Sequence, residues 1–79
     1  MKPIDALTPL GQTIRHWRKQ NRYSLGAMAE LAGMSKSHLH HLETGYTTDP
    51  QLSTLSALAK VMGHSVGWLA NIADKRNAP

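Results

Sequence analysis

Residues 25–45, LGAMAELAGMSKSHLHHLETG, carry two short helix signals parted by a single glycine. Ser24 is suited to cap a helix over about 25–32, whose inner face would be Met28, Ala29 and Ala32. Gly33 follows, where the chain must leave the helix with positive φ, a conformation glycine adopts without steric cost. Ser35 then caps a second helix over about 36–43, with Leu39 and Leu42 turned inward and Gly45 ending it. For two such helices to cross near a right angle, the contact point needs a small side chain, and Ala29 lies there. A small residue, a glycine four positions on, and apolar residues six and nine beyond that glycine form a helix-turn-helix pattern.

The flanking sequence completes a small helical domain. Thr8 and Pro9 are a cap and a first helical residue for a helix over about 9–21, with Leu10, Ile14 and Trp17 at core spacing. Arg15, Lys19 and Arg22 fall on another face of it, a stripe that is either simply solvated or turned towards a polyanion. Beyond a polar loop, Pro50 opens a helix over about 51–62 in which Leu52, Leu55, Leu58, Ala59 and Met62 are apolar, and Gly63 stops it. Ser65 caps a fifth helix over about 66–73, where Val66, Trp68, Leu69 and Ile72 are apolar. With no phenylalanine and no alternating strand pattern, the expected fold is all-α, a bundle of five short helices. Residues 1–8 are expected as a flexible arm, 9–73 as the domain and 74–79 as a polar tail.

Composition narrows the function classes. The chain has 79 residues, room for one domain, and no cysteine, which excludes disulfides, thiolate zinc sites and cysteine catalysis. No apolar run approaches the ~18 residues of a membrane span, and residues 1–9 lack the apolar stretch of a signal peptide, so a cytoplasmic protein is expected. The net charge of +4 favours polyanionic partners, nucleic acid ahead of a membrane surface. There is no phosphate-binding loop, nucleophile motif or carboxylate pair; Asp5, Glu30, Glu43, Asp49 and Asp74 are scattered over different elements. Neither catalysis nor a cofactor is expected.

Three stretches together resemble the Cro/C1-type (XRE-like) repressor family. LGQTIRHWRKQNRYS (10–24) resembles its first helix. MAELAGMSKSHLHHLETG (28–45) resembles its helix-turn-helix, including the Glu-x-Gly that closes the third helix. DPQLSTLSALAKVMGHSVGWL (49–69) resembles its fourth and fifth helices. The resemblance covers about Leu10–Leu69 and implies a lambda-repressor-like DNA-binding domain from a prokaryotic, phage or plasmid setting. It assigns base reading to the first turn and outer face of the third helix, here Lys36, Ser37, His40 and His41. Lys36 can donate to guanine O6 and N7, Ser37 can pair with several base edges or a phosphate, and a neutral histidine offers one donor and one acceptor. Because an unperturbed histidine titrates near pH ~6.5, binding is expected to tighten somewhat between pH ~8 and ~6.

Phosphate contacts are expected from Arg22, Ser24, Leu25, His38, Thr44, Tyr46 and Thr47. Leu25 stands where the family usually has a glutamine, so that contact is missing or is replaced by Arg22 or the Ser24 hydroxyl. Thr44 stands where the family often has a basic residue, and Thr44, Tyr46, Thr47 and Thr48 offer hydroxyl and backbone donors without charge. A shallower salt dependence than that of a Lys/Arg-rich relative follows. Arg18 and Glu43 occupy positions that pair in some relatives, tying the first helix to the end of the recognition helix.

His38 and His41, three apart on one helix, could chelate a metal, but with no cysteine and only Glu43 nearby no metal site is expected. His64 replaces an aliphatic residue of the family and is expected as a partly buried packing group; Leu25 and Leu31 are expected to be exposed. A single recognition helix covers only a few base pairs, so the expected function is a transcriptional repressor that binds a palindromic operator as a homodimer. Val66, Trp68, Leu69 and Ile72 of the fifth helix would supply the dimer interface. Two other readings stay open: an antitoxin or adaptor acting through a toxin or other protein partner, and an activator touching RNA polymerase through Glu30.

Overall fold

A computed structural model describes residues 8–47 and 49–74. They form α1 (Pro9–Gln20), α2 (Leu25–Ala32), α3 (Lys36–Thr44), α4 (Leu52–Met62) and α5 (Val66–Asp74), with no strand among the described residues. The expected arm (all but Thr8), the expected tail beyond Asp74, and Thr48 lie outside the described residues.

The helix starts follow from short hydroxyl side chains. Thr8, Ser24, Ser35 and Ser65 each accept a hydrogen bond from the backbone N–H three residues on: Gly11 at 2.9 Å, Ala27 at 3.0 Å, His38 at 3.0 Å and Trp68 at 3.1 Å. Each cap satisfies a donor that the first helical turn would otherwise leave unpaired, at about 1 kcal/mol apiece. α4 differs. It begins one residue later than expected, after Gln51, whose backbone carbonyl but not its side chain bonds the first turn. Leu52 therefore sits in the opening turn and is 66% exposed rather than part of the apolar stripe.

Helix ends are equally local. Gly33 and Gly63, at φ 71° and 77°, close α2 and α4 with the same pair of bonds. At the first, Gly33 N–H donates to the Glu30 carbonyl and Met34 N–H to that of Ala29; at the second, Gly63 donates to Lys60 and His64 to Ala59. α1 ends on the same pattern, Arg22 donating to Lys19 and Tyr23 to Arg18, but the left-handed position is held by Arg22 at φ 62°. Glycine would be the unstrained choice there.

The core draws on all five helices: Leu10 and Ile14 of α1, Met28 and Ala29 of α2, Leu39 and Leu42 of α3, Leu55, Leu58, Ala59 and Met62 of α4, and Leu69 of α5. α1 packs on α3 and α5, α2 on α3 and α4, and α4 on α5. Trp17 is half-buried against this core and stacks on Tyr23, ring centroids 5.7 Å apart. Leu31 is exposed as expected, at 57%, but Leu25 is not: it folds its side chain down against the core.

Gly11 fixes how closely α1 approaches the end of α3. A Cβ placed there would lie 2.5 Å from the Leu42 carbonyl oxygen and 2.6 Å from that of Glu43. Both obstacles are backbone atoms, which cannot swing aside as a side-chain tip would. Gly11→Ala is expected to destabilise the fold by about 1–3 kcal/mol, although alanine is the better helix former, because the overpacking outweighs the propensity gain. The urea midpoint of the variant checks this; an unchanged or raised midpoint would contradict the close approach.

Candidate nucleic-acid interface

α3 is an amphipathic rod held from one side. Leu39 and Leu42 are fully buried, while Lys36, Ser37 and His40 are exposed on the opposite flank. The Ser35 cap and the Gly45 stop, at φ 82°, fix both ends of this helix. Lys36, Ser37, His40 and His41 line one shallow cleft together with Leu25 from the start of α2. The four residues expected to read bases are thus brought together, though not equivalently. His41 is half-buried, its ring tilted against Tyr46 at 4.7 Å between centroids, whereas His40 is exposed, its ring 6.2 Å from that of His41.

The expected phosphate contacts are sorted more sharply. Ser24 accepts the Ala27 N–H and keeps its own hydroxyl hydrogen for a neighbour. Tyr46, at 79% exposure, stands clear of the surface just past α3. The Thr47 amide is already spent on the His41 carbonyl at 3.1 Å, and the Thr44 hydroxyl leans back to the same carbonyl at 3.4 Å, so two of the expected donors point inward. His38 faces elsewhere: half-buried, it lines a separate depression with Met34 and with Ser53, Thr54 and Ala57 of α4. A histidine three residues before His41 shares its helix but not its cleft. No cluster of three or more His, Cys, Asp or Glu that could hold a metal occurs among the described residues.

Arg18 and Glu43 pair as expected and in two-pronged fashion. Arg18 Nε donates to Glu43 Oε2 at 2.7 Å and Nη2 to Oε1 at 3.0 Å, while Nη1 donates to the Tyr23 carbonyl at 3.0 Å. One guanidinium thereby joins α1, the turn before α2 and the end of α3. Glu43 is 3% exposed, the one buried charged side chain among the described residues. The hydrogen bond to Glu43 holds the Arg18 guanidinium above its ordinary value, against the opposing effect of burial and with further help from the carboxylate's charge. With the carboxylate ionised, the stability linked to the guanidinium's own proton is complete below arginine's ordinary value and is lost as pH rises through the raised one.

A second cleft, continuous with the first through Leu25 and His40, opens between α1 and α3. It is bordered by Arg15 and Lys19 of α1 and by Thr44, beside the Arg18–Glu43 pair. The α1 stripe could be read in the sequence, but not which neighbour it faces.

The residues expected at a dimer interface divide. Leu69 is 0% exposed and belongs to the core, packed where α4 and α1 meet α5, so it cannot present itself to a partner. Val66 and Ile72 are half-buried against the same core. Trp68 is 37% exposed. His64 is exposed rather than packed inside, and its ring lies flat on Trp68, centroids 3.9 Å apart and planes 15° from parallel. No helix among the described residues is long and apolar enough to cross a membrane.

Comparison with known proteins agrees with this geometry. Residues 9–71 match the family described as "Helix-turn-helix domain". The HTH-type transcriptional regulator SinR of Bacillus licheniformis is 38% identical over 66 residues, which are 84% of this chain and 60% of that protein. SinR of Bacillus subtilis (strain 168) is 39% identical over 76% of this chain and 54% of its own length, so the chain spans little more than half of these relatives. Among solved structures, SinR, described as the master regulator for biofilm formation, in complex with DNA superposes with a TM-score of 0.71 at 38% identity, over 77% of this chain and 97% of that one. The chain belongs to the helix-turn-helix domain family, in its Cro/C1-type (XRE-like) branch.

Proposed function

We propose that this chain binds double-stranded DNA sequence-specifically, laying α3 in the major groove, and regulates transcription as a repressor on a palindromic operator bound by a homodimer. The observation that carries the reading is the division of α3: Leu39 and Leu42 anchor one face in the core while Lys36, Ser37 and His40 stand free on the other. A helix so held can reach base edges without giving up packing. Lys36 donates to a purine edge; Ser37 and His40 read neighbouring positions; Ser24, Arg22 and Tyr46 set the register on the phosphates. The DNA-bound relative supports the same use of this fold. Trp68, flanked by Val66 and Ile72, is the side chain of α5 left to meet a second copy.

Selection of bound sequences from random duplex DNA tests the proposal. A motif with two-fold symmetry is the expected result, and recovery of no motif would overturn it. A chain that worked through a protein partner instead would keep that partner when Lys36 is replaced by alanine.

Arg22 offers an independent check. A left-handed arginine costs about 1–2 kcal/mol that glycine would not, less the entropy glycine gains when unfolded. Arg22→Gly is expected to stabilise the fold by up to about 1 kcal/mol. The same change is expected to weaken DNA binding, since it removes the cation that this reading assigns to a phosphate. Thermal unfolding and a binding isotherm on one variant would show the two effects moving in opposite directions; loss of stability with unchanged binding would refute both assignments.

A further inference from the structure

We infer that Arg15 and Lys19 form a second cationic contact, on α1, that grips the phosphate backbone of the same duplex α3 reads; the inference rests on the DNA-binding reading above. Three observations carry it. First, the surface is continuous: His40 borders both the cleft holding Lys36 and the cleft holding Arg15 and Lys19, so a duplex seated on α3 extends over α1. Second, the charge is uncompensated. The one acid in either cleft is Glu43, buried and already bonded to Arg18 through both carboxylate oxygens. Arg15 and Lys19 are exposed and have no ion-pair partner among the described residues.

Third, the arrangement works against the helix. Like charges four residues apart on one helix face repel, and no acid is interposed to relieve them. Lys19, in the last turn, gains from the negative end of the helix dipole, but Arg15 does not. A pair of cations that costs the helix something and faces an open cleft whose one acid is already taken by Arg18 fits an external polyanion. A regular array of phosphates meets both at once. The contact also changes the salt response expected from the threonine-rich end of α3: two of the missing charges are supplied from α1.

Phosphates are the same in every sequence, so the contact adds affinity without preference. The test is the double variant Arg15→Gln, Lys19→Gln in the full chain, titrated against a duplex selected by the unaltered chain and against an unrelated duplex, from low to high salt. Removing two phosphate contacts is expected to reduce the slope of log K against log salt by about 1.8 per bound chain. Binding to both duplexes should weaken alike, by about sixtyfold per bound chain at ~0.1 M salt relative to ~1 M. The matched control is Lys60→Gln, an exposed cation on α4 that lines neither cleft. It should leave the slope unchanged. A double variant that folds, by circular dichroism, and keeps the original slope overturns the α1 contact while DNA binding stands. About half that change in slope with Lys60→Gln, which removes one charge where the double variant removes two, overturns it too, since the effect would then be that of net charge. Failure of the unaltered chain to bind any duplex overturns the DNA-binding reading and this contact with it.

Discussion

Glu43→Ala is expected to remove about 3–5 kcal/mol of folding stability. The reason lies in what is left behind. The Arg18 guanidinium loses two charge-assisted bonds, at 2.7 and 3.0 Å, and keeps only the Tyr23 carbonyl. Its side chain is 11% exposed and cannot swing into water without leaving the joint between α1 and α3. For a domain of this size, whose total stability is of order 5–15 kcal/mol, such a loss brings unfolding close to physiological temperature. Arg18→Ala should act in the same direction, now stranding a carboxylate on a residue 3% exposed. Replacing both together by apolar residues of similar length should cost less than either alone, because no unpaired charge remains. Urea unfolding of the unaltered chain, Glu43→Ala, Arg18→Ala and the double alanine variant closes a cycle that measures the coupling directly. A Glu43→Ala loss below ~1 kcal/mol would mean the pair behaves like an exposed surface contact and does not fix the angle of α3.

How far the sequence discloses this structure depends on how local the cause is. The serine and threonine caps and the Gly33, Gly45 and Gly63 stops act within three or four residues of themselves, and the helices they delimit begin and end within a residue of expectation. The core face of α3 is equally legible, since Leu39 and Leu42 are its only apolar residues. Causes that depend on a distant partner are not. Gly11 looks like an unremarked helical glycine until the carbonyls of Leu42 and Glu43 are seen against it. Arg22 in the left-handed position contradicts the usual preference for glycine, so composition gives no hint of it.

On α5, Leu69 and Trp68 are adjacent apolar residues of one short helix, and periodicity cannot say which turns to the core and which away; packing against α4 decides for Leu69. His38 and His41 likewise share a helical face by spacing, yet α4 draws one to itself and Tyr46 holds the other. In the candidate interface, residue types were readable along α3, whereas the junction with Arg15 and Lys19 required knowing that α1 packs on the end of α3.

Lys36→Ala is expected to cost about 1–3 kcal/mol of specific binding per half-site, hence about 2–6 kcal/mol on a two-fold operator touched by two copies. Lys36 is exposed and lies in the first turn of α3, just beyond the Ser35 cap, so truncating it leaves the cap, Leu39 and Leu42 untouched. The unfolding midpoint should therefore stay where it is, which separates this variant from Glu43→Ala, whose binding defect would follow from lost structure. The pattern of the loss is as informative as its size. An ammonium that donates to a base edge discriminates at one position in each half-site, so the variant should bind the selected duplex and one altered at that position almost equally. If Lys36 met a phosphate instead, affinity would fall by the same factor for every sequence and the salt slope would drop by about 1. Competition binding with a panel of single-position duplexes at two salt concentrations distinguishes these outcomes, and an undiminished preference at every position would remove Lys36 from the base-reading surface and leave that task to Ser37 and His40.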